Sequence, residues 1–492
     1  MQRPHPIAVA LRKRAAGNAP AARLPHRPRH RPPSPHPGTG AALSAAERRF
    51  HMNTGLGRLP REPADRFTRP LMRFLRIEAV AGIVLLLCTV LAVALANTAW
   101  SAQYLAFWEL PAGFGFGGFE FSRSLKHWIN DALMTLFFFV IALELKRELV
   151  LGELREPRMA AFPLMAAVGG MVVPAGVFLW LVDGGPGAGG WGTVMSTDTA
   201  FVIGCIALLG ARVPHALRLF LLSLAIFDDI GAILVVALGY GEALHWPALA
   251  LAGAGLAAVA AIARLGIRSI PIYFAIGGGV WLALDASGVH ATLAGVILGL
   301  MTPARSWVSD RRLHAIFDRV IAYPPGDHWS GDAEARGDLR RAGVAAREAL
   351  SPIERLELLL HPWVAFTILP LFALANAGVP IVAARFDQGI AVAVIAAFVA
   401  GKPVGVLLFA VLAAKLRIAV RPDELPWTLL AAGSLLTGIG FTMAMFIAEL
   451  AFAPALLDSV KLGILLASVV SAAAGLLALT WLTSAGRPPA TP

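Results

Sequence analysis

Asp228 and Asp229 stand side by side in LLSLAIFDDIGAILVVAL, with nine uncharged residues before them and twelve after. A carboxylate at the centre of a membrane-crossing helix costs ~2.5–3.5 kcal/mol on insertion scales, so such residues are rare and usually functional. Helix-end charges that snorkel need an interface nearby, and this run offers none. Consecutive helix positions point ~100° apart, so one side chain can coordinate an ion while the other meets a neighbouring helix. Like charges this close in a low dielectric resist being ionised together. A pair of this kind suits alternate holding of a proton or a small hard cation. Sodium prefers oxygen ligands, and Asp228, Asp229 and Thr197 are the candidate donors. Asp198, in GTVMSTDTAFVIG, and Lys402, in AFVAGKPVGVLLFA, are two further charges in apolar surroundings. Lys402 can neutralise one carboxylate, and cation binding would then compete with that ion pair.

The backbone around these residues is interrupted. Ser196-Thr197-Asp198-Thr199 breaks an apolar run with side chains that hydrogen-bond to their own backbone and favour helix ends. Thr437-Gly438-Ile439-Gly440-Phe441-Thr442 does the same much later in the chain. Paired broken helices in matching positions of two halves point to a transporter site at an inverted-repeat interface. Opposed half-helix ends leave partial charges in the membrane; Asp198 suits the positive N-terminal ends and Lys402 the negative C-terminal ends.

The elements that must hold these residues are membrane helices. The 492 residues are 57% apolar and only 15% charged, against roughly 25% charge in soluble chains. A water-facing surface, a disulfide scaffold and a coiled coil are excluded for most of the chain. Cys88 and Cys205 sit singly in apolar runs and read as small core or lipid-facing side chains. The spans expected at crossing length are 77–98, 127–147, 160–182, 190–211, 216–241, 247–265, 270–286, 289–303, 357–378, 389–414, 427–450 and 460–483. That is an all-α polytopic membrane protein with twelve helices.

The net charge of +11 divides unevenly. Residues 1–76 hold sixteen Lys/Arg against three acids, so the basicity belongs to a tail and the body is nearly neutral. Residues 1–70, rich in Arg, Pro and His, read as a disordered basic tail or as an extension upstream of a start at Met52. The antiparallel run of helices then occupies 71–486, with a long polar loop at 304–356 and a short tail at 487–492. Beyond the first 76 residues, Lys/Arg fall 21 to 4 on the side that also carries the N-terminus. That excess places both termini in the cytoplasm. Lys402 belongs to neither side. The loop 99–126, with FWELPAGFGFGGFEFSR, fits a short periplasmic β-hairpin, a structural or oligomeric element, with Trp100 and Trp108 in the headgroup belt. The segment 323–350 reads as a mobile insertion.

STDTAF, RVPHALRLFLLSLAIFDDIGAI, SGVHATLAGVILG, LHPWVAFTILPLFALANAG, GKPVG and LLTGIGFTMAMFIA resemble the bacterial NhaA-type Na⁺/H⁺ antiporters. NDALMTLFFFVIALELKREL and AAFPLMAAVGGMVVPA extend the resemblance over about residues 77–483. It implies twelve helices, with an inverted repeat relating the third-to-fifth and tenth-to-twelfth, whose fourth and eleventh members are broken and cross. It also implies electrogenic, pH-regulated exchange of Na⁺ or Li⁺ for protons across a bacterial inner membrane, serving sodium and pH homeostasis. In this chain Asp228 and Asp229 look like the ion and proton carboxylates, and Lys402 like the lysine that pairs with Asp228. Asp198 and Thr197 look like crossing-site residues, with Gly438 and Gly440 in the second break. Glu144, Arg147, Glu148 and Glu357 resemble funnel charges tied to pH activation, although ELKREL could equally be a solvated helix end. His290 matches a family histidine, and could equally be a hydrogen-bonded turn residue. The expected partners are small cations, the bilayer and a second copy through the 105–123 hairpin, with no nucleic acid and no cofactor.

The Arg/Pro tail, the 323–350 insertion and Glu449 depart from the simplest form of that pattern; Glu449 reads as lying near the outer end of its helix. A passive cation channel would normally be built on a carbonyl or carboxylate ring, which Lys402 argues against. An intramembrane aspartyl protease would need YD and GxGD strings, and neither occurs. Walker, GxSxG and HExxH motifs are also absent from the sequence, so enzyme chemistry has no foothold.

Overall fold

In lipid every backbone polar group must be bonded internally, and long apolar runs therefore fold as helices. A computed structural model describes residues 78–485, except 117–118, 153–154, 242, 268, 323–332 and 382–386. The expected tail at 1–70, the alternative start at Met52 and the segment 487–492 lie outside the described residues. All described residues fall in one compact unit, Arg69–Pro492.

The helices are α1 Glu78–Ala96, α2 Ser101–Trp108, α3 Leu125–Val150, α4 Pro157–Val182, α5 Thr199–Leu209, α6 His215–Gly239, α7 Trp246–Arg264 and α8 Ile270–Asp285. There follow α9 Leu293–Met301, α10 Asp310–Ile321, α11 Ala333–Glu348, α12 Pro352–Asn376, α13 Gln388–Lys415, α14 Trp427–Leu436, α15 Phe441–Ala451 and α16 Pro454–Ala485. A 3₁₀ helix, Ala188–Met195, precedes α5. Among the described residues eight helical stretches are long and apolar enough to cross a membrane, or ten if each of two bent pairs counts once. The bent pairs are α1 with α2, at 119°, and α14 with α15, at 50°. Every expected span contains helix, but α8 has 16 residues and α9 only nine, short of the ~20 that a crossing ordinarily takes. The two ends of α16 lie outside the span expected for it, because Pro454 suits a first helical turn.

The burial pattern is that of a membrane protein. Leu238, Trp180 and Trp481 point outward almost fully exposed, while the polar side chains of Thr197, Asp198, Asp228 and Lys402 are inside. Two apolar clusters share α4, α6, α13 and α16, so the helices that carry Asp228, Asp229 and Lys402 are packed from more than one side. Backbone contact between α4 and α13 depends on glycine: a Cβ on Gly169 would sit 2.2 Å from the Gly405 carbonyl oxygen.

The hairpin forms as expected, with β1 Pro111–Phe116 and β2 Phe119–Ser124 antiparallel and Phe114 opposite Phe121. Residues 101–108, partly assigned to that hairpin from sequence, are helical instead. Trp108 is also not in a headgroup belt. It is buried edge-on against Tyr104 and Phe107, whereas Trp100 is exposed. The described part of the 323–350 segment contains the helix α11. Its ordering has a local cause: Ala, Glu and Arg dominate its sequence, and all are strong helix formers. Cys88 and Cys205 are both free thiols, half-buried and buried.

Candidate functional site

Asp198 occupies the N-cap of α5, in extended conformation, after the 3₁₀ helix has ended. Its Oδ1 accepts from the Phe201 N–H at 3.1 Å, the ordinary reward of a capping carboxylate. Its Oδ2 accepts from the Thr442 N–H at 2.8 Å, and Thr442 lies in the first turn of α15. One carboxylate thus caps the N-termini of two short helices. The Asp198 N–H in turn donates to the Ile439 carbonyl at 2.6 Å, which ties the two breaks together. Gly438 and Gly440 are needed there for crowding. A Cβ on Gly438 would lie 2.5 Å from the Phe398 carbonyl oxygen, and one on Gly440 2.3 Å from the Phe398 ring.

Asp228 and Asp229 lie midway along α6, both buried. The ~100° between them sends their carboxylates to different partners. Asp228 Oδ2 is 3.0 Å from Lys402 Nζ and 2.5 Å from the Thr197 hydroxyl. That hydroxyl also lies 3.1 Å from the Thr437 carbonyl. Lys402 donates additionally to the Met195 carbonyl at the end of the 3₁₀ helix. Lys402 is presented by a widened π turn, Ala397–Gly401, that falls where Pro403 lacks the N–H an α turn would use. Asp229 has a different environment. Its Oδ2 accepts a long hydrogen bond, 3.4 Å, from the Thr199 hydroxyl. The second oxygen of each aspartate, Oδ1, is buried with no hydrogen-bond partner among the described residues. A buried carboxylate oxygen left this way is costly unless a proton or a cation can reach it.

A cavity of about 480 Å³ provides the reach. Asp229, Thr197, Asp198, Thr199 and Thr442 line one part of it, and Glu144, Arg147, Glu357, His215 and Arg218 another. Eleven residues of α6 separate Arg218 from Asp229, about 16 Å of helix. Arg147 forms ion pairs with Glu357 and, at 2.9 Å, with Glu148, so the charges of ELKREL belong to a network between α3 and α12. Glu148 supports that network from outside the cavity wall. Asp228 and Lys402 do not line the cavity either; they form the buried ion pair beside it.

His290 stands apart from this group. Its Nε2 is 2.7 Å from the carbonyl of Tyr240, just past the end of α6, whereas the cavity is lined by His215 at the beginning of that helix. His290 thus sits away from the cavity lining, in a hydrogen-bonded turn where Gly288 takes a φ of +80°. Sequence reading also missed Thr199, Met195 and His361, since a hydroxyl, a carbonyl or a histidine in a helix gives no signal until its neighbours are known.

A larger omission is the trio Lys126, Glu449 and Lys461. Glu449 pairs with both lysines, at 2.8 Å to Lys126 and more closely to Lys461. Lys461 is 5% exposed. Only the tertiary fold brings α3, α15 and α16 together at this point.

Comparison with known proteins identifies the family. The family model described as Na⁺/H⁺ antiporter 1 matches residues 72–479. The Na⁺/H⁺ antiporter NhaA of Rhizobium meliloti is 72% identical over 436 residues, covering 89% of this chain and all of that protein. The Na⁺/H⁺ antiporter NhaA 3 of Acidiphilium cryptum is 57% identical over 89% of this chain and 95% of its own length. The NhaA antiporter of Rhodopirellula baltica is 49% identical over 88% and 98%. With its apolar helices and buried carboxylates in place across that match, this multi-pass membrane chain belongs to the Na⁺/H⁺ antiporter 1 family.

Proposed function

We propose that the chain exchanges Na⁺ or Li⁺ for protons across the bacterial inner membrane, electrogenically and under pH control, for sodium and pH homeostasis. One observation carries this reading: Asp229 is buried at a cavity wall with an unmatched oxygen, beside the Asp228–Lys402 pair. Asp229, Asp228 and Thr197 supply the oxygens a sodium ion prefers. A sodium ion drawn to Asp228 competes with Lys402 for the same carboxylate. Two carboxylates and a lysine can release more positive charge as protons than one sodium brings in, which electrogenic exchange requires. Asp198 meanwhile holds the two short helices at the crossing, and Lys402 balances charge there.

In this reading the chain crosses the membrane twelve times, with α8 and α9 as short crossings and the breaks before α5 and α15 related by an inverted repeat. The contact between the two breaks supports it. The 21 to 4 distribution of Lys/Arg supports cytoplasmic termini. It also puts the Glu144, Arg147, Glu148 and Glu357 network on the cytoplasmic side, where it would set the pH response. The open edges of the β1–β2 ribbon suit pairing with a second copy, for which crosslinking across the hairpin is the test.

The experiment for exchange is dequenching of a pH-sensitive dye in everted vesicles on adding Na⁺ or Li⁺, across a pH series. Dequenching that requires both Asp228 and Asp229 supports the site. Exchange that survives Asp229→Asn and Asp228→Asn overturns it. A passive channel would instead conduct Na⁺ without moving protons.

A further inference from the structure

Glu449 is the last-turn carboxylate of α15, where the helix carbonyls already supply partial negative charge. Its position has no local rationale. It is held by Lys126 at the start of α3 and by Lys461, buried within α16. Arg147, at the cavity, is 21 residues further along α3 than Lys126, roughly 30 Å of helix. The trio and the charged cavity network therefore lie at opposite ends of the same helix. The helix α15 connects the two regions. Its first turn supplies Thr442 and Met443 to the cavity wall and the Thr442 N–H to Asp198. Its last turn carries Glu449, and Phe446 between them packs edge-on against Phe138 of α3 at 5.4 Å. None of the trio lines the cavity.

We propose that Lys126–Glu449–Lys461 is a latch that pins the far end of α15 to α3 and α16 while the cavity is open at the Arg147 end, so that Glu449 is a positioning residue for the alternation of access. The proposal rests on the exchange reading above. An 11-residue helix moves as a rod, so a displacement at Glu449 is transmitted to Thr442 and thus to Asp198. Opening the opposite side requires α15 to part from α3 or α16, and the latch must break for that to happen. A buried cluster of charges is suited to such a step, because it has one good geometry and loses strength steeply away from it.

The test uses the full-length protein, purified, in a Cys88→Ala/Cys205→Ala background. Ala207→Cys, in the cavity wall, reports the open end; Ala448→Cys, beside Glu449, reports the latched end. The probe is a membrane-impermeant maleimide. Replacing the buried pair together, as Glu449→Gln/Lys461→Met, avoids an uncompensated charge. It should slow labelling at Ala207→Cys by about threefold or more and speed it at Ala448→Cys, as a shift between two states demands. It should also raise the apparent KM for Na⁺ at the cavity end more than it lowers kcat. Lys461→Arg keeps the cation and should keep both labelling rates. Folded protein with both rates unchanged overturns the latch. So do rates that rise together, which report general loosening. If the double variant does not fold, Lys126→Met, at the more exposed member, should move both rates the same way by a smaller factor, and no movement there overturns the proposal as well. Labelling requires no transport, so its failure is distinct from a failure of the Asp229→Asn test.

Discussion

Where the two helix breaks meet, two adjacent carboxylates stand with one ammonium, that of Lys402, which pairs with Asp228, and a cavity reaches Asp229. At the far end of α15, two ammoniums share one carboxylate, that of Glu449, and the cavity does not reach it. Both groups contain a buried lysine, Lys402 in one and Lys461 in the other. They differ in stoichiometry and access. The crossing has an excess of negative charge and oxygens without partners, so it is completed by a cation or a proton. The trio has two ammoniums against one carboxylate, both at Glu449 Oε1, so an incoming cation would meet an excess of positive charge there and the group acts through its geometry. Burial of charge alone therefore does not mark a transport site; an unmet charge beside a cavity does.

The sharpest way to break this comparison is to neutralise one carboxylate in each group. Asp229→Asn and Asp228→Asn should each reduce Na⁺-driven dye dequenching to background. Glu449→Gln/Lys461→Met should retain exchange with an altered KM. Equal loss in both would erase the distinction between them.

Lys402→Met should be next in size. It leaves Asp228 buried and unpaired, at a cost of about 3–5 kcal/mol read as thermal stability in detergent. Asp228→Asn/Lys402→Met should recover most of that stability and none of the exchange, since the missing partner rather than the missing lysine causes the loss. Asp198→Ala should cost about 1–2 kcal/mol, because it uncaps two helices, and Asp198→Asn somewhat less, since its one amide oxygen can still cap one of the two.

Thr197→Val removes one neutral oxygen from beside Asp228 and should raise the apparent KM for Na⁺ by roughly three- to tenfold, the scale of one hydrogen-bonding group. Acidification should have the same sign. Protons and sodium compete for the same carboxylates, so the apparent KM for Na⁺ should rise as pH falls. A KM independent of pH would separate the proton site from the sodium site.

Much of the crossing was legible in the sequence because lipid makes charge conspicuous. Asp228, Asp229, Asp198 and Lys402 stand out in apolar runs, and STDT and TGIG mark backbone that cannot continue as a plain helix. The trio was not legible. Lys461 lies seven residues after the start of α16, and Lys126 next to the start of α3, so both resemble ordinary loop cations. His290 shows the same limit: a histidine motif in sequence carries no information on which end of a neighbouring helix it meets. The 323–350 segment is low in β-branched residues, and its Ala, Glu and Arg content favours the helix α11.

The sequence by itself determined that this is a helical membrane protein, where its long apolar helices run, and which carboxylates and lysine are costly enough to need a purpose. Those conclusions follow from transfer energies and helix length, which are properties of single segments. Only the tertiary structure decided which of two adjacent aspartates pairs with Lys402 and which lines the cavity, that Asp198 caps two helices at once, and that Glu449 gathers two lysines from separate helices. Those outcomes depend on distances between segments far apart in the chain, and no local preference encodes them.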